Sequence, residues 1–278
     1  MKNVFVVEHR DTQHLIGDIV SRGTVMTRTL AVVNQKGGVG KTTTAVNVAA
    51  GLALAERPTL LVDLDPQGNA TTGLGVQKTG LYPTVYHVLL GGEPAEKAIL
   101  ETALTHLRLL PSDIDLVGAE IELVGLEQRE RRLKLALESA AKAYEWVIID
   151  CPPSLGLLTI NALVAADRVL VPLQCEFYAL EGLTHLLKTV KLVRERLNPG
   201  LEVEGIVLTM FDGRTSLALQ IRDEVHRYFA GQIFDTVIPR NVRLTEAPSY
   251  GKPVMLHDLK SSGSLAYLEL TREVLAHE

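Results

Sequence analysis

Cysteine is scarce in this sequence: the only two, Cys151 and Cys175, do not form a C-x-x-C pair. This argues against a disulfide framework or a zinc site and fits a reducing compartment, so we interpret both as small, buried apolar residues. Long hydrophobic runs are also missing. No stretch approaches the ~20 apolar residues that span a bilayer, and residues 4–7 are too few, and too soon followed by charges, for a signal peptide. We therefore predict a cytoplasmic protein.

A surplus of positive charge is missing as well. The 28 lysines and arginines are outnumbered by 33 acids, so any nucleic-acid site must be local. With 46% hydrophobic residues, 278 residues suffice for one large core, and we predict a single domain over residues 27–278. Residues 1–26 show no clean periodicity. We expect a flexible extension there, or an upstream over-extension with Met26 as the real start.

A glycine-rich segment stands out in what the sequence does contain. Residues 34–43, NQKGGVGKTT, lie between an apolar run and a helix-forming run. Strand, turn and helix in this order predict a phosphate cradle, because backbone N–H groups and the positive helix end face an anion. Lys41 would then reach the outer phosphates, and the Thr42 hydroxyl would ligate Mg²⁺. The match to G-x-x-x-x-G-K-[ST] is imperfect, since Gln35 replaces the first glycine and Lys36 follows it.

The extra lysine has two interpretations. Lys36 is either a solvated turn residue or a second cation held against phosphates. A lysine so early in the loop points away from its own nucleotide pocket, so a functional role would most simply be played across a dimer interface. The residues alone leave both interpretations open.

Acidic residues end two further apolar strands. Residues 58–62 are followed by Asp63 and Asp65, and residues 144–149 by Asp150. Strand, helix and strand in this order predict a parallel sheet with ligands at the carboxyl ends of its strands. Such acids are often only turn formers. Beside a phosphate loop, however, one can hold the Mg²⁺ shell and another can orient or deprotonate the attacking water.

Several segments together carry a resemblance to a known family. They are KGGVGKTT, VDLDPQGNAT, IIDCPPS, PLQCEFYALEGL, LTMFDGRT and VIPRNVRLTEAPSYGKP. From about Thr27 to its end, the chain resembles the deviant Walker A class and, within it, the ParA/Soj chromosome-partitioning ATPases. The resemblance implies a P-loop α/β fold, with a mostly parallel twisted sheet and helices on both faces. It also implies a dimer in which two protomers sandwich two ATP molecules with Mg²⁺.

The resemblance also assigns roles to single residues. Lys36 would reach the partner's nucleotide, Lys41 its own, and Asp65 would act in hydrolysis. The expected metal site is Thr42 and Asp150, with Asp63 as an outer partner. The implied nucleotide-binding residues are Lys36, Gly37, Gly38, Val39, Gly40, Lys41, Thr42, Thr43, Met210, Pro239 and Asn241, the last three near adenine.

Cations cluster late in the chain, and scattered arginines usually form only a solvated face. The cluster comprises Arg214, Arg222, Arg227, Arg240, Arg243 and Lys252. The resemblance implies that Arg214 and Arg243 contact the phosphates of nonspecific double-stranded DNA, which suits arginine chemistry. It further implies a nucleoid-associated protein, a ParB-type centromere-binding partner that stimulates hydrolysis, and no membrane contact.

Two other functions share the deviant loop. A MinD-like division-site ATPase needs a basic amphipathic C-terminal helix, whereas residues 264–274 are acidic. An iron–sulfur carrier of the nitrogenase-reductase type needs cysteines that hold a cluster across the dimer. Cys151, between Asp150 and Pro152, does not match that pattern.

Further elements follow from periodicity. We predict strands at residues 106–111, 168–173, 203–210 and 234–238, and a helix from Leu180 to Leu197. The rest of residues 80–142 should be helical. There the leucines 123, 126, 133 and 137 have the spacing of a core-facing stripe on a helix.

Overall fold

A central sheet organises the protein. The computed structural model describes residues 26–229 and 231–277, so the expected N-terminal extension lies outside it except for Met26. The described strands are β1 (Arg28–Val32), β2 (Thr59–Asp63), β3 (Leu100–Glu101), β4 (Leu107–Leu110), β5 (Trp146–Asp150), β6 (Arg168–Gln174), β7 (Glu202–Phe211) and β8 (Ile233–Pro239). Their order is β3-β4-β2-β5-β1-β6-β7-β8, and only the β3–β4 pair is antiparallel. The predicted, mostly parallel α/β sheet is confirmed.

Helices cover both faces of this sheet. They are α1 (Lys41–Leu54), α2 (Asn69–Gly73), α3 (Val85–Leu90), α4 (Ala95–Ala98), α5 (Leu116–Glu122), α6 (Arg132–Leu137), α7 (Leu157–Ala165), α8 (Ala179–Arg196), α9 (Ser216–Tyr228), α10 (Val242–Glu246), α11 (Val254–His257) and α12 (Ser262–Ala276). The predicted helix from Leu180 to Leu197 is α8 and is confirmed.

Alternating residues of the strands feed two separate cores. Leu30 and Val32 of β1 pack into the core beneath α1 and α12, whereas Ala31 and, just after the strand, Val33 pack into the core beneath α3, α5, α7 and α8. This alternation is expected, because successive strand residues point to opposite sides of a sheet. Helices α1 and α12 approach closely at Gly51, where a Cβ atom would overlap the Thr271 side chain.

The segment from residue 80 to 142 departs from the prediction of mostly helix. The predicted strand is present as β4, but β3, only two residues long, was missed. The leucine stripe is not on one helix. Leu123 lies in a short 3-10 turn and Leu133 in α6, because the chain turns extended at Leu126 (ψ 145°) and left-handed at Gln128 (φ 53°). The leucines nevertheless pack into one core, with Leu126 only partly buried.

The C-terminal helix is a core element. Tyr267, Leu270 and Val274 of α12 are buried against α1 and the sheet, and the Tyr267 hydroxyl lies 3.1 Å from Thr44 Oγ1. Within the described part of the chain, no helix combines the length and apolar character needed to cross a membrane.

Candidate nucleotide site

The carboxyl ends of neighbouring strands bring the glycine-rich loop and the acids together. β5 lies between β1 and β2 in the sheet. Asp150, the last residue of β5, pairs in register with Val32 of β1 and with Asp63 of β2. The loop that leaves β1 therefore starts beside both acids, at the edge where parallel sheets bind ligands.

Side chains outside the motif fix the shape of this loop. Asn34 Nδ2 donates to the Pro172 carbonyl over 2.7 Å, and Asn34 Oδ1 accepts from the Lys36 backbone N–H over 3.0 Å. Thr209 Oγ1 donates to the Val39 carbonyl over 2.8 Å. Because Pro172 and Thr209 belong to β6 and β7, the sheet itself holds the loop in place.

Two glycines and an open helix end give the loop its capacity for anions. Gly38 (φ 76°) and Gly40 (φ 88°) adopt left-handed conformations that glycine tolerates best. Helix α1 starts at Lys41 with no side-chain cap and no acid in its first turn. The first backbone N–H groups of α1, those of Lys41, Thr42 and Thr43, are thus available to a phosphate.

The two lysines of the loop lie in different surroundings. Lys41 is buried, and its Nζ donates to the Lys36 carbonyl over 2.8 Å. Burial lowers the pKa of Lys41, while the charges of Asp150 and Asp65 oppose that shift. The Lys36 ammonium instead forms an ion pair with Glu176, in the segment after β6. Sequence reasoning missed Glu176, because 140 residues separate it from Lys36.

Asp63 is engaged within the protein. Its Oδ2 accepts from the Thr71 N–H and from the Thr71 hydroxyl, each over 2.7 Å, and its Oδ1 accepts from the Asp65 N–H over 3.2 Å. Burial raises the pKa of Asp63 to about 6, against the effect of the Thr71 bonds. Asp65, which is almost fully buried, has Oδ1 occupied by the Gln67 N–H over 2.9 Å.

Asp150 contrasts with Asp63. Both of its carboxylate oxygens are buried without a hydrogen-bond partner among the described residues. Burial and the neighbouring charge of Asp63 raise the pKa of Asp150 well above its usual range, and the side chain of Thr42 opposes this shift. A buried carboxylate without partners is costly in isolation, so it is a strong candidate for binding a cation.

These residues fit a magnesium ion. Thr42 and Asp150 offer hard oxygen donors, which Mg²⁺ prefers, while Asp63 has its oxygens already bonded and suits an outer position. No group of three or more His, Cys, Asp or Glu side chains is arranged for a metal within residues 26–229 and 231–277. Water and nucleotide phosphate would therefore complete the shell, as is usual for Mg²⁺.

The residues expected near adenine meet at the ends of β7 and β8. Phe211, next to Met210, pairs in register with Pro239. Met210 has a left-handed backbone (φ 50°), which is uncommon outside glycine and concentrates at functional sites. Asn241 caps α10: its Oδ1 accepts from the Arg243 N–H, and its Nδ2 donates to Ser262 Oγ, each over 2.8 Å.

Each of the two arginines predicted to bind DNA carries carboxylate partners. Arg214 is 90% exposed at its side chain and donates to both oxygens of Asp212, over 2.8 and 2.7 Å. Arg243 donates to Glu246 over 2.8 Å and lies 3.2 Å from Asp258. The motif match found these arginines but not the acids that neutralise them.

The cysteines match their predicted role only in part. Cys151 is fully buried, and burial raises the pKa of its thiol well above the usual range. Cys175 is only partly buried, and burial raises its pKa to about 11. Both thiols are therefore protonated and unreactive near neutral pH.

Known proteins are similar to this chain over most of its length. The family model AAA_31, described as an AAA domain, matches residues 27–203. The chain is 55% identical over 251 residues to "Chromosome partitioning protein ParA" of Myxococcus xanthus, covering 90% of this chain and 89% of that protein. It is 54% identical over 252 residues to "Sporulation initiation inhibitor protein Soj" of Bacillus subtilis, covering 91% and 100%. A solved cobyrinic acid a,c-diamide synthase of Mycobacterium smegmatis, with bound ADP and magnesium, is 41% identical with a TM-score of 0.80, covering 91% and 95%.

Proposed function

Because the chain belongs to the ParA/Soj family of chromosome-partitioning ATPases, we propose that it is an ATP-driven dimerisation switch that binds nonspecific DNA. ATP binding favours the dimer, the dimer binds DNA, and hydrolysis releases it. A ParB-type centromere-binding protein stimulates that hydrolysis. The protein thus acts in the cytoplasm, on the nucleoid.

The arrangement of the glycine-rich loop supports ATP and Mg²⁺ as cofactors. When bound, Mg²⁺ neutralises phosphate charge and polarises the phosphoryl group. Within this chain, the first turn of α1 binds phosphate oxygens, and Lys41 supplies a buried positive charge beside them. Thr42 and Asp150 hold the metal. Asp65 would orient the attacking water. The M. smegmatis relative was solved with ADP and magnesium, which supports these cofactors.

The position of Lys36 is the observation that carries the dimer proposal. Its side chain leaves the loop and is 42% exposed, and its ammonium is paired with Glu176 rather than placed beside Lys41. A cation on the outer side of a phosphate loop is suited to a nucleotide bound by a second protomer. Gly37 is exposed, and a Cβ there would meet only Pro153 Cβ, at 4.0 Å, so the loop backbone is open to close approach.

Local cations must carry DNA binding, because the whole chain has a net charge of −5. Arg214 and Arg243 are exposed, and dimerisation would double their number on one assembly. Their carboxylate partners must yield to phosphates, and this costs little free energy because exposed ion pairs contribute little to stability. Arginine contacts to phosphates carry no base identity, so binding should be independent of DNA sequence.

Sedimentation tests the switch directly. With ATP we expect dimers that bind DNA, and with ADP or without nucleotide we expect monomers that do not. Dimers that form regardless of nucleotide, or DNA binding without ATP, would contradict the proposal.

Salt dependence tests the DNA surface. Each lost phosphate contact lowers the slope of log affinity against log salt by about 0.9, so Arg243→Ala should lower it by roughly 2 over two protomers. The Arg214→Ala/Arg243→Ala variant should lose about twice as much, equally on unrelated DNA sequences. Arg222→Ala, which removes an arginine paired with Asp223, is the matched control and should change the slope little. An unchanged slope in the double variant would place the DNA surface elsewhere.

A further inference from the structure

Helix α5 and its flanking turns present a row of aliphatic side chains to solvent. The exposed residues are Ile114, Val117, Ile121 and Val124, at 70, 53, 77 and 57% exposure. Their spacing of three, four and three residues places them on one helical face. The hydrogen bond from the Val117 N–H to the Ile114 carbonyl shows that helical turns begin before α5. We refer to these four residues as the α5 stripe.

This stripe is not the core-facing side of α5. Leu116, Ala119 and Leu123 occupy the opposite face and are fully buried. Other exposed leucines of the described helices, such as Leu192 in α8 and Leu217 in α9, are scattered singly, which is normal for a protein surface. A continuous apolar row rimmed by polar groups instead marks an interaction site.

The rim of the stripe is mostly acidic. Residues 113–127 contain five acids, Asp113, Asp115, Glu120, Glu122 and Glu127, and no lysine or arginine. One cation reaches the end of the stripe: Arg129 donates to the Val124 carbonyl over 3.3 Å, and it is paired with Glu130. Glu122 is held in place by the Tyr86 hydroxyl, which donates to its Oε1 over 2.9 Å. An apolar face with an anionic border is complementary to an amphipathic segment with a basic border.

This charge pattern selects among possible occupants. A second copy on a two-fold axis would place the acidic rim against itself, which repels. DNA and anionic membranes are repelled for the same reason. We propose that the α5 stripe docks a basic, amphipathic segment of a partner protein.

The docking surface is linked by single contacts to residues near the strand-end acids of the nucleotide site. The Glu120 carboxylate lies against Gly156, in the segment that joins Asp150 to α7. On the other side, the Ser112 N–H donates to Thr71 Oγ1 over 2.9 Å, and that hydroxyl donates to Asp63. The rim of the stripe therefore contacts the segment that follows Asp150, and the turn before the stripe contacts the Thr71 hydroxyl that binds Asp63. The docking proposal itself does not rest on DNA binding or on hydrolysis.

A model peptide tests the surface. The probe is a fluorescein-labelled, 18-residue peptide of leucine and lysine with a helical apolar period, titrated with the full-length protein and followed by anisotropy. The control peptides have the same composition with scattered leucines, or glutamate in place of lysine. We expect the basic amphipathic peptide to bind at least tenfold tighter than either control, since both the apolar face and the charge are needed.

Variants locate the binding. Ile121→Ser/Val124→Ser should weaken binding at least tenfold, because two apolar contacts are lost. Glu120→Gln/Glu122→Gln should weaken it several-fold at low salt and little at high salt. Leu217→Ser, the matched exposed leucine on α9, should bind as the wild type does. Circular dichroism melts check that each variant is folded; because the replaced side chains are exposed, we expect little change.

Three outcomes would overturn the proposal. They are equal affinity for the scattered peptide, unchanged affinity in the folded Ile121→Ser/Val124→Ser variant, and the same loss in Leu217→Ser. Sedimentation supplies a further test. If wild-type protein self-associates without nucleotide and Ile121→Ser/Val124→Ser does not, a second copy covers the stripe and the proposed occupant is wrong.

Discussion

Replacing Asp150 with asparagine should make the nucleotide-free protein more stable while impairing its use of magnesium. Both oxygens of the Asp150 carboxylate are buried without a described hydrogen-bond partner, beside Asp63. Asparagine has nearly the same shape and no charge. The substitution therefore removes an unfavourable buried ionisation without creating a cavity.

The magnitude follows from the burial of an unpaired polar group. Burial and the charge of Asp63 raise the pKa of Asp150 well above its usual range, so the native state disfavours the charged carboxylate relative to the unfolded chain. Burying a polar group without a hydrogen bond costs about 1–3 kcal/mol in proteins, and we expect removal of the charge to stabilise the protein by about 2 kcal/mol. That raises Tm by about 3–4 °C for a chain of this size.

The sign of the pH dependence is also fixed. A carboxyl group whose pKa is raised on folding does not penalise stability below the unfolded pKa, and its penalty grows as pH rises toward the native pKa. The advantage of Asp150→Asn should therefore be larger at about pH 7.5 than at about pH 5. Asp63, with its pKa raised to about 6, lowers wild-type stability in the same direction.

Thermal melts at both pH values, without nucleotide, provide the measurement. The control is Asp63→Asn: its amide would face the Thr71 and Asp65 donors, so this variant should be less stable than Asp150→Asn. A second series adds ATP with Mg²⁺ or with chelator, and only the wild type should gain stability from the metal. If Asp150→Asn melts at or below the wild-type temperature at pH 7.5, the buried Asp150 carboxylate does not destabilise the nucleotide-free protein.

Three further substitutions test the nucleotide site. Lys41→Ala should abolish nucleotide binding by removing the cation beside the phosphates, and wild-type affinity in equilibrium dialysis would contradict this. Asp65→Ala should keep ATP binding and dimerisation but stop turnover, since orienting water matters in the transition state; normal turnover in a phosphate-release assay would make Asp65 structural. Gly37→Val should bind ATP as a monomer, because its side chain meets only Pro153 within the protomer but would fill the gap to a partner; dimers by sedimentation would exclude this.

Much of the fold could be predicted because the strands of a parallel sheet are continuous apolar runs. Residues 30–33 and 146–149 are buried on both faces, and the sequence predicted both strands. Their starts were each misplaced by two residues, since β1 begins at Arg28 and β5 begins at Trp146 rather than Tyr144. The segment around Leu126 could not be predicted in the same way. There, the spacing of the apolar residues fits a helix. The backbone is nevertheless extended at Leu126 and left-handed at Gln128, and the spacing does not indicate that break.

The site could be predicted where its residues lie together in one motif or directly follow a predicted strand. Lys41 and Thr42 lie in one motif, and Asp63 and Asp150 were placed by the rule that strands end where ligands bind. The partners of these residues were not predictable. Glu176 approaches Lys36, and Thr71 binds Asp63, only because the chain folds back, and nothing in the spacing of those residues indicates the contact.

The position of β5 between β1 and β2 has a consequence for synthesis of the chain. β1 and β2 leave the ribosome before the other described strands but are not neighbours in the native sheet, since β5, which ends only at residue 150, lies between them. The other neighbour of β1, β6, ends later still, at residue 174. Until then the nascent chain carries apolar strands with unmatched edges, a state prone to aggregation, and native contacts of such long range slow folding. When its glycine-rich loop is complete, the growing chain therefore still lacks strands β6 and β7, which hold that loop in place in the folded protein.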